Sequence, residues 1–327
     1  MKLHDLGEFG FIDRIAAAIA EKTTVKIGIG DDAAAVEPAP GHLTLMTSDM
    51  LIEGVHFDLN LSDPLTLGRK SLAVNLSDLA AMGAKPRYYL LSLAIPQRLD
   101  LEFLDKFISG MMQRADQFGV TLIGGDTCSS KGGLAISVTA IGEQLPQLVV
   151  RRSGARPGDL IFVTGTIGDS ALGLELLRQG EKIGPLISRH LDPEPRLSAG
   201  IALAEAGLAT AMIDISDGLL ADLGHILEKS AVGAKMDLKG LPLSDQYRKE
   251  ITKFSEDCFS LALGGGEDYE LVFTAPVLLK DRVFSCMEAC GVNVSMIGEI
   301  TAENRLAITA ADGSVYHPRR QGYNHFA

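Results

Sequence analysis

Five short segments of the sequence place an aspartate next to small or hydroxyl-bearing residues, a combination that suits a hard cation. They are GIGDDA at 28–33, TSD at 47–49, NLSD at 75–78, GGDT at 124–127 and DISDG at 214–218. Most of these aspartates follow a predicted strand, so we expect them at strand ends. Mg²⁺ takes oxygen ligands and keeps several waters, and small neighbours leave room for those waters. Any one of these aspartates is explained equally well as a cap or turn residue, but the five segments together favour a shared Mg²⁺ cluster.

The charge balance constrains how such a protein could bind phosphates. The chain has 30 Lys and Arg against 42 Asp and Glu, a net charge of −12, which argues against a broad nucleic-acid or anionic-membrane surface. It contains no GxxxxGK[ST] loop. The segment GIGDDA fits the dinucleotide-binding pattern GxGxxA, but we reject that interpretation because Asp31 and Asp32 would face the pyrophosphate. Several Mg²⁺ ions that bridge aspartates and nucleotide phosphates would remove this repulsion. The pattern therefore indicates phosphoryl transfer, in which positioning and charge stabilisation supply most of the catalysis.

Three other segments could bind a ligand. His56 lies a few residues beyond TSD, although a lone histidine is most often structural. The segment GGGEDYE at 264–270 begins with three glycines, which permit a ligand to approach the backbone closely; the alternative is a flexible turn before an edge strand. The segment GTIG at 165–168 leads from a predicted strand into a helix, so its amides could hold an anion. Without a lysine, a tight turn explains it better.

These segments need a scaffold in which strands and helices alternate. Hydrophobic periodicity predicts helices over 9–21, 63–82 and 101–118, and strands over 43–47, 88–95, 120–123 and 134–141. Turn residues mark a boundary near 143–158, and a second series of strands and helices begins at about residue 160. We therefore expect an α/β (α+β) fold with two domains, residues 1–147 and residues 148–327.

Composition excludes several other classes of protein. Hydrophobic residues make up 46% of the chain, which is typical of a globular protein, and the absence of Trp disfavours base stacking. The four cysteines form no CxxC pair, which disfavours a disulfide framework or structural zinc. The N-terminus lacks the basic start and apolar run of a signal peptide. The most apolar stretch, 200–215, contains two acidic residues and is too short to cross a bilayer, so a cytoplasmic protein is expected.

Taken together, these motifs resemble those of the thiamine-monophosphate kinase family, which belongs to the superfamily of aminoimidazole ribonucleotide synthetase and selenophosphate synthetase. The matching segments follow the family's order along nearly the whole chain: GIGDDAAAV (28–36), TSDMLIEGVHF (47–57), AVNLSDLAAMGAKP (73–86), IGGDT (123–127), RSGARPGD (152–159), VTGTIGDSALGL (163–174), IDISDGLLADLGHI (213–226), GGGEDYELVFT (264–274) and GYNHF (322–326). The set is specific, although no single segment is. The resemblance implies ATP-dependent phosphorylation of thiamine phosphate to thiamine diphosphate, with several Mg²⁺ ions as cofactors.

The resemblance also assigns site residues. By resemblance, the Mg²⁺ ligands are Asp32, Thr47, Ser48, Asp49, Asp78, Asp126, Asp214 and Asp217. The residues expected to contact ATP are Gly125, Asp126, Arg152 and Ser216, and those expected to contact thiamine phosphate are His56, Glu267 and Tyr323. No covalent nucleophile or general base is expected, because the second pKa of a phosphate monoester is about 6 and the acceptor is already ionised at neutral pH. Whether Arg151 replaces Arg152, and whether Asp31 is a ligand beside Asp32, stay open.

The fold that the resemblance implies has an N-terminal synthetase-like domain for ATP and Mg²⁺, whose mixed sheet pairs with its counterpart in a homodimer. A C-terminal α+β sandwich would complete the nucleotide and substrate sites. Two alternatives stay open: an ATP-dependent ring-closing synthetase of the same superfamily, and a noncatalytic Mg-nucleotide sensor. Selenophosphate synthetase fits less well, because it would require a reactive cysteine near the N-terminus and the first cysteine here is Cys128.

Overall fold

The computed structural model describes residues 3–17, 19, 23–319 and 322–323. By packing, the chain divides into two compact units. Unit 1 comprises Met1–Leu79 and Lys85–Pro146, and unit 2 comprises Ala80–Ala84 and Gln147–Ala327. Each unit contains a mixed sheet with helices, so the predicted α/β class is confirmed. The division into domains after residue 147 stays a prediction, because packing alone defines these two units.

Unit 1 is built on a four-stranded sheet. Its elements in chain order are α1 (Leu3–Ala16), β1 (Val25–Ile27), β2 (Ala35–Val36), β3 (Leu43–Ile52), α2 (Pro64–Ala81), β4 (Lys85–Pro96), α3 (Leu101–Phe118), β5 (Thr121–Ser130) and β6 (Ala135–Gln144). The strand order is β3-β6-β4-β5, in which β4 and β5 are parallel and the other pairs are antiparallel. Strands β1 and β2 form a separate antiparallel pair. The last two residues of α2 group with unit 2.

Helices α2 and α3 of unit 1 begin where their local sequence indicates. Asp63 caps α2, because its Oδ1 accepts the N–H groups of Leu65 at 3.0 Å and Thr66 at 3.1 Å, and Pro64 is the first helical residue. Helix α3 covers its predicted range, 101–118. The two helices approach so closely that a Cβ on Gly110 of α3 would lie 1.9 Å from the main-chain oxygen of Leu65. Glycine is therefore required at this crossing.

Two strands of unit 1 continue beyond their predicted ends, and those predictions are wrong. Strand β3 pairs with β6 over ten consecutive residues, from Leu43 opposite Gln144 to Ile52 opposite Ala135. Strand β5 likewise continues beside β4 to Ser130. A strand's ladder is made by main-chain groups, so the run of short polar side chains does not end the pairing. The aspartates of TSD and GGDT consequently lie inside strands rather than at their ends.

The N-terminal helix differs from its prediction over 9–21. Helix α1 begins at Leu3 and has a non-helical residue at Gly7, where φ is 75°. The predicted end of this helix, at Glu21, lies outside the described residues. Within the parts of the chain that the structure covers, no helix is both long enough and apolar enough to span a membrane.

Unit 2 is built on a six-stranded sheet. Its strands and α-helices in chain order are β7 (Asp159–Thr164), α4 (Asp169–Arg178), α5 (Pro185–Leu191), α6 (Leu197–Glu205), β8 (Ala211–Asp214), α7 (Leu219–Ser230), β9 (Gly233–Asp237), α8 (Asp245–Glu250), α9 (Ser260–Gly264), β10 (Leu271–Pro276), α10 (Lys280–Ala289), β11 (Val294–Thr301) and β12 (Leu306–Thr309). The strand order is β12-β9-β11-β7-β10-β8, with only β12 and β9 parallel. Periodicity did not predict α5, which is only seven residues long.

Candidate active site

A hydroxyl and two carboxylates come together between β3 and α2 in unit 1. Thr47 and Asp49 are two residues apart on β3, so their side chains share one face of the sheet. The Thr47 hydroxyl donates to the Asp78 carboxylate, and the Asp49 N–H donates to Oδ1 of Asn75 at 3.1 Å. Because Asn75 and Asp78 are three residues apart, they share one side of α2. The structure thus unites three of the predicted Mg²⁺ ligands.

The electrostatics of this group fit a cation. Burial raises the pKa of Asp49 to about 7, and the neighbouring Asp78 carboxylate adds to the rise. Two carboxylates held close together in a partly buried site cannot both ionise without cost. A divalent cation between them would remove that cost, and carboxylate and hydroxyl oxygens are ligands that Mg²⁺ prefers. The residues present therefore fit Mg²⁺.

Ser48 faces away from this group. Its hydroxyl lies 3.0 Å from the Thr139 hydroxyl and donates to the main-chain oxygen of Val138 at 3.3 Å. The reason is the alternation of side chains along a strand, which places Ser48 on the opposite face from Thr47 and Asp49. An oxygen that Ser48 supplied on the Asp49 side would have to come from its main chain.

The sheet register also separates Gly125 from Asp126. Strands β4 and β6 lie between β5 and β3, so the register can be followed across all four strands. Gly125 lies in line with Asp49, whereas Asp126 lies in line with the exposed Met50, which is on the other face of the sheet. The structure therefore does not bring the Asp126 carboxylate to the pair formed by Asp49 and Asp78. Its roles towards Mg²⁺ and ATP, and the role of Gly125 towards ATP, stay predictions.

The aspartates of GIGDDA lie exposed between β1 and β2. Oδ1 of Asp31 accepts the N–H of Asp32 at 2.9 Å, so the Asp31 carboxylate takes part in a local turn. This favours Asp32 over Asp31 as the candidate ligand. In the described ranges, no three acidic, histidine or cysteine side chains are grouped closely enough to hold a metal ion. The common role of the eight predicted Mg²⁺ ligands therefore stays a prediction.

His56 has a defined orientation in the loop after β3. Its Nδ1 accepts the main-chain N–H of Ile52 at 3.0 Å. A ring nitrogen that accepts a hydrogen bond carries no proton, so the proton of the neutral ring is on Nε2. The main chain after β3 therefore sets the orientation and the tautomer of this ring.

In unit 2, one carboxylate organises the turn that precedes α7. Oδ2 of Asp222 accepts the N–H groups of Ser216, Asp217 and Gly218, each at 3.1 Å. Burial raises the pKa of Asp222 to about 7 and Asp217 adds to the rise, while these amides oppose it. The sequence analysis did not identify Asp222. The available signal was its position four residues after Gly218, the glycine that precedes α7. Asp214, the last residue of β8, is buried beside this turn.

A second turn of unit 2, residues 267–270, packs against the first and is called the acid loop here. The N–H of Glu267 donates to the main-chain oxygen of Ser216 at 2.8 Å. A Cβ on the preceding Gly266 would lie 2.3 Å from the same oxygen. The glycines before the acid loop therefore allow the chain's own turn to approach, rather than leaving the backbone open to a ligand.

The C-terminal segment reaches the same place. The N–H of Tyr323 donates to the main-chain oxygen of Asp217 at 2.9 Å, and the residue is 53% exposed. The structure thus brings together four of the predicted site residues in unit 2: Ser216, Asp217, Glu267 and Tyr323. Arg152 is exposed. Arg151 lines a cavity of about 180 Å³ near α6, and the structure does not decide which of these arginines contacts ATP.

The GTIG turn between β7 and α4 uses its amides internally. The N–H groups of Gly165 and Ile167 donate to main-chain oxygens of unit 2 at 2.8 Å and 3.0 Å. The N–H of Gly168 donates to the carboxylate of Asp268 at 2.7 Å. These contacts show a tight turn at GTIG, as the sequence predicts.

Comparison with protein families gives the same relationship for both halves of the chain. The family model for the AIR synthase related protein, N-terminal domain, matches residues 30–144, and that for the C-terminal domain matches residues 156–311. The thiamine-monophosphate kinase of Escherichia coli (strain K12) is 39% identical over 98% of this chain and 98% of its own length. That of Bacillus subtilis (strain 168) is 36% identical over 98% of this chain and 100% of its own length.

Solved structures agree with the sequence comparison. The thiamine-monophosphate kinase from Stenotrophomonas maltophilia K279a superposes with a TM-score of 0.84 at 39% identity, covering 97% of this chain and 99% of that one. AaThiL complexed with AMPPCP and TMP superposes with a TM-score of 0.77 at 35% identity, covering 100% and 99%. Because the likeness in sequence and in structure extends over nearly the whole chain, this protein belongs to the thiamine-monophosphate kinase family and is an enzyme with kinase activity.

Proposed function

We propose that this kinase transfers the γ-phosphoryl group of ATP directly to thiamine phosphate, giving thiamine diphosphate and ADP, with several Mg²⁺ ions bound. The observation that carries the proposal is the group of Thr47, Asp49 and Asp78, in which a hydroxyl and two carboxylates lie together and the second charge raises the pKa of Asp49. The names of the relatives and the ligands of the AaThiL complex, AMPPCP and TMP, support the choice of substrates.

The proposed reaction needs positioning rather than a base. The acceptor phosphate has a second pKa of about 6 and is largely dianionic at neutral pH, so no residue has to deprotonate it. His56 would place it, with its ring oriented by the Ile52 N–H that Nδ1 accepts. The demand on the site is to hold two anions together.

Mg²⁺ supplies, when bound, the positive charge that offsets the phosphates. Thr47, Asp49 and Asp78 would hold it through the oxygens that the structure already groups. The other proposed ligands are Asp32, Ser48, Asp126, Asp214 and Asp217. For Ser48 we propose the main-chain oxygen, because its hydroxyl is on the opposite face of the sheet.

We assign ATP binding to Gly125, Asp126, Arg152 and Ser216. For the acceptor, the Glu267 carboxylate would accept hydrogen bonds from the aminopyrimidine of thiamine. The exposed Tyr323 ring would offer its face to the cationic thiazolium.

The decisive experiment is to incubate the purified protein with ATP, Mg²⁺ and thiamine phosphate and to quantify the products. Thiamine diphosphate and ADP in equal amounts are expected, and unphosphorylated thiamine serves as the acceptor control. ADP formation that does not depend on thiamine phosphate would favour a synthetase with another substrate. Nucleotide binding without any turnover would favour a sensor.

Direct transfer has its own test. Without a phosphoenzyme, a single in-line displacement inverts the configuration at phosphorus. ATP made chiral at the γ-phosphorus should therefore give thiamine diphosphate of inverted configuration. Retention would exclude a single in-line step.

We also propose a homodimer in which the unit 1 sheet pairs with its counterpart. On β3, Met46 and Met50 are 70% and 59% exposed and lie on the face opposite Asp49. Substituting Met50→Lys should shift the sedimentation of the protein from dimer towards monomer, whereas Val277→Lys, at an exposed position of unit 2, should not. A wild-type protein that sediments as a monomer at all concentrations would contradict the dimer.

A further inference from the structure

The acid loop is held from several sides by other elements of unit 2. Glu270 is fully buried and accepts hydrogen bonds from the guanidinium groups of Arg189 and Arg196 and from the Thr164 hydroxyl at 2.7 Å. Charge-assisted bonds of this kind are the stronger ones in proteins. The C-terminal end of the loop is therefore firmly fixed.

The middle of the acid loop is fixed in a different way. Asp268 is buried, and its carboxylate accepts the N–H groups of Gly168 at 2.7 Å and Ser170 at 3.3 Å. These amides belong to the first turn of α4 and the residue before it, where main-chain N–H groups have no partner within the helix. Asp268 thus ties the loop to the start of α4.

The backbone of the acid loop is strained. Glu267 and Tyr269 have φ values of 65° and 51°, in a region that residues other than glycine rarely occupy. Such conformations persist where the surrounding contacts impose them, and they are concentrated at functional sites. The contacts of Asp268 and Glu270 are of this kind, and they lie on either side of Tyr269.

The remaining carboxylate of the loop, Glu267, faces a buried histidine on α5. Nδ1 of His190 lies 3.2 Å from Oε2 of Glu267 and 3.1 Å from the Ser170 hydroxyl. An ionised carboxylate only accepts hydrogen bonds, so Nδ1 carries the proton when Glu267 is ionised. The His190 side chain is 7% exposed, whereas that of Glu267 is 27% exposed. Oε2 of Glu267 therefore meets a buried group, while the Glu267 side chain as a whole is partly exposed.

We propose that His190 is a positioning residue for the acceptor substrate: its Nδ1–H holds Oε2 of Glu267, so that Oε1 is presented to the amino group of the pyrimidine. This inference rests on the proposed role of Glu267 in binding thiamine phosphate. Ser170, buried on α4, limits rotation of the His190 ring through its contact with the same nitrogen. Helix α5 thus fixes the acid loop twice, through Arg189 at Glu270 and through His190 at Glu267.

The test is a double-mutant cycle on the full-length enzyme. KM values for thiamine phosphate and for ATP are measured with wild type, His190→Ala, Glu267→Ala and the double variant. His190→Ala should raise the KM for thiamine phosphate about tenfold, as expected for loss of a bond to a charged group, and leave the KM for ATP nearly unchanged. In the Glu267→Ala background it should cause no further rise, because the group that it positions is gone.

A pair of conservative variants separates positioning from packing. Asparagine at residue 190 places an amide N–H near the position of Nδ1, whereas glutamine places one near the position of Nε2. His190→Asn should recover most of the lost affinity, and His190→Gln should resemble His190→Ala. His225→Ala, at an exposed histidine of α7, is the control and should leave both KM values unchanged.

The outcomes distinguish this inference from the assignment of Glu267. If His190→Ala raises the KM for thiamine phosphate equally in the wild type and in the Glu267→Ala variant, the positioning role is overturned. A parallel rise in the KM for ATP would also overturn it. If His190→Ala does not fold, equal KM values for the asparagine and glutamine variants would overturn it. If Glu267→Ala leaves the KM for thiamine phosphate unchanged, the proposed role of Glu267 fails, and the role of His190 fails with it.

Discussion

The buried carboxylates of the two units differ in the donors that the protein itself supplies to them. In unit 1, Asp49 lies beside Asp78, and the second charge adds to the effect of burial in raising the pKa of the first. In unit 2, Asp222 accepts three main-chain N–H groups, and Glu270 is bonded to two arginines. Asp222 also has a carboxylate neighbour, Asp217, that raises its pKa, but the three N–H groups oppose that rise, whereas Asp78 only adds to the effect of burial at Asp49.

The difference separates ligand binding from scaffolding. A carboxylate that the protein's own donors satisfy shapes a turn: Asp222 holds the turn of Ser216 and Asp217, and Asp268 ties the acid loop to α4. Two adjacent carboxylates gain most from a cation that the protein itself does not supply. Substitution of Asp78 should therefore mainly reduce Mg²⁺ binding and turnover, whereas substitution of Asp222 should mainly reduce stability.

The largest effect is expected for Asp78→Asn. Removing one of the two adjacent charges relieves their repulsion in the free protein, so the free energy of unfolding should be unchanged or slightly higher. Mg²⁺ binding loses a charged ligand, and kcat should fall on the order of a hundredfold or more. Steady-state kinetics over a range of Mg²⁺ concentrations and thermal unfolding check both statements. Near-normal turnover at limiting Mg²⁺ would reject the metal role.

Asp222→Ala should have the reverse signature. It leaves three N–H groups at the start of α7 without their acceptor, which should lower the free energy of unfolding by about 2 kcal/mol. Asp222→Asn keeps an acceptor oxygen and should cost less. Urea unfolding of both variants checks this order. If Asp222→Ala is as stable as the wild type, Asp222 does not stabilise the turn, and the proposed difference between Asp222 and the carboxylates Asp49 and Asp78 is wrong.

The acceptor residues should give a smaller and more selective effect. Glu267→Ala and Tyr323→Ala remove a hydrogen-bond acceptor and an aromatic face, so each should raise the KM for thiamine phosphate about tenfold. The KM for ATP should change much less. Steady-state kinetics with each substrate varied in turn measures this. Loss of ATP affinity with normal affinity for thiamine phosphate would place the acceptor pocket elsewhere.

A last effect concerns the pH dependence of stability. Burial raises the pKa of Asp268 to about 8, although the Gly168 and Ser170 amides and Arg189 oppose the rise and Asp169 adds to it. An unfolded aspartate has a pKa near 4, so between about pH 4 and 8 the folded state binds more protons than the unfolded state. This group therefore lowers the free energy of unfolding as pH rises through that window, and its effect levels off above it.

Asp268→Asn removes the titrating carboxyl group, so the difference in stability between the variant and the wild type reports the titration of Asp268 alone. The free energy of unfolding of the variant minus that of the wild type should increase from about pH 4 to 8 and then stay constant. Urea unfolding at a series of pH values gives the difference directly. A difference that does not change with pH would show that Asp268 is ionised in the folded protein throughout.

Local signals in the sequence predicted several features well. The Asp63 cap with Pro64 and the bounds of α3 follow from residues within one helical turn. Strand ends were predicted poorly, because pairing with a distant strand carries β3 through Thr47, Ser48 and Asp49. Helix α5 was missed because seven residues are too few for a clear helical period, and with it His190 was missed.

By itself, the sequence determined the family, the α/β class and which residues are candidates, because each motif is a local pattern of residue types. Only the tertiary structure decided how those candidates are combined. The register of β3 against β6 placed Asp49 towards Asp78 and Ser48 on the other face, and the packing of α5 placed His190 beside Glu267. These are contacts between residues far apart in the chain, and they depend on strand register and helix packing, which no short segment encodes.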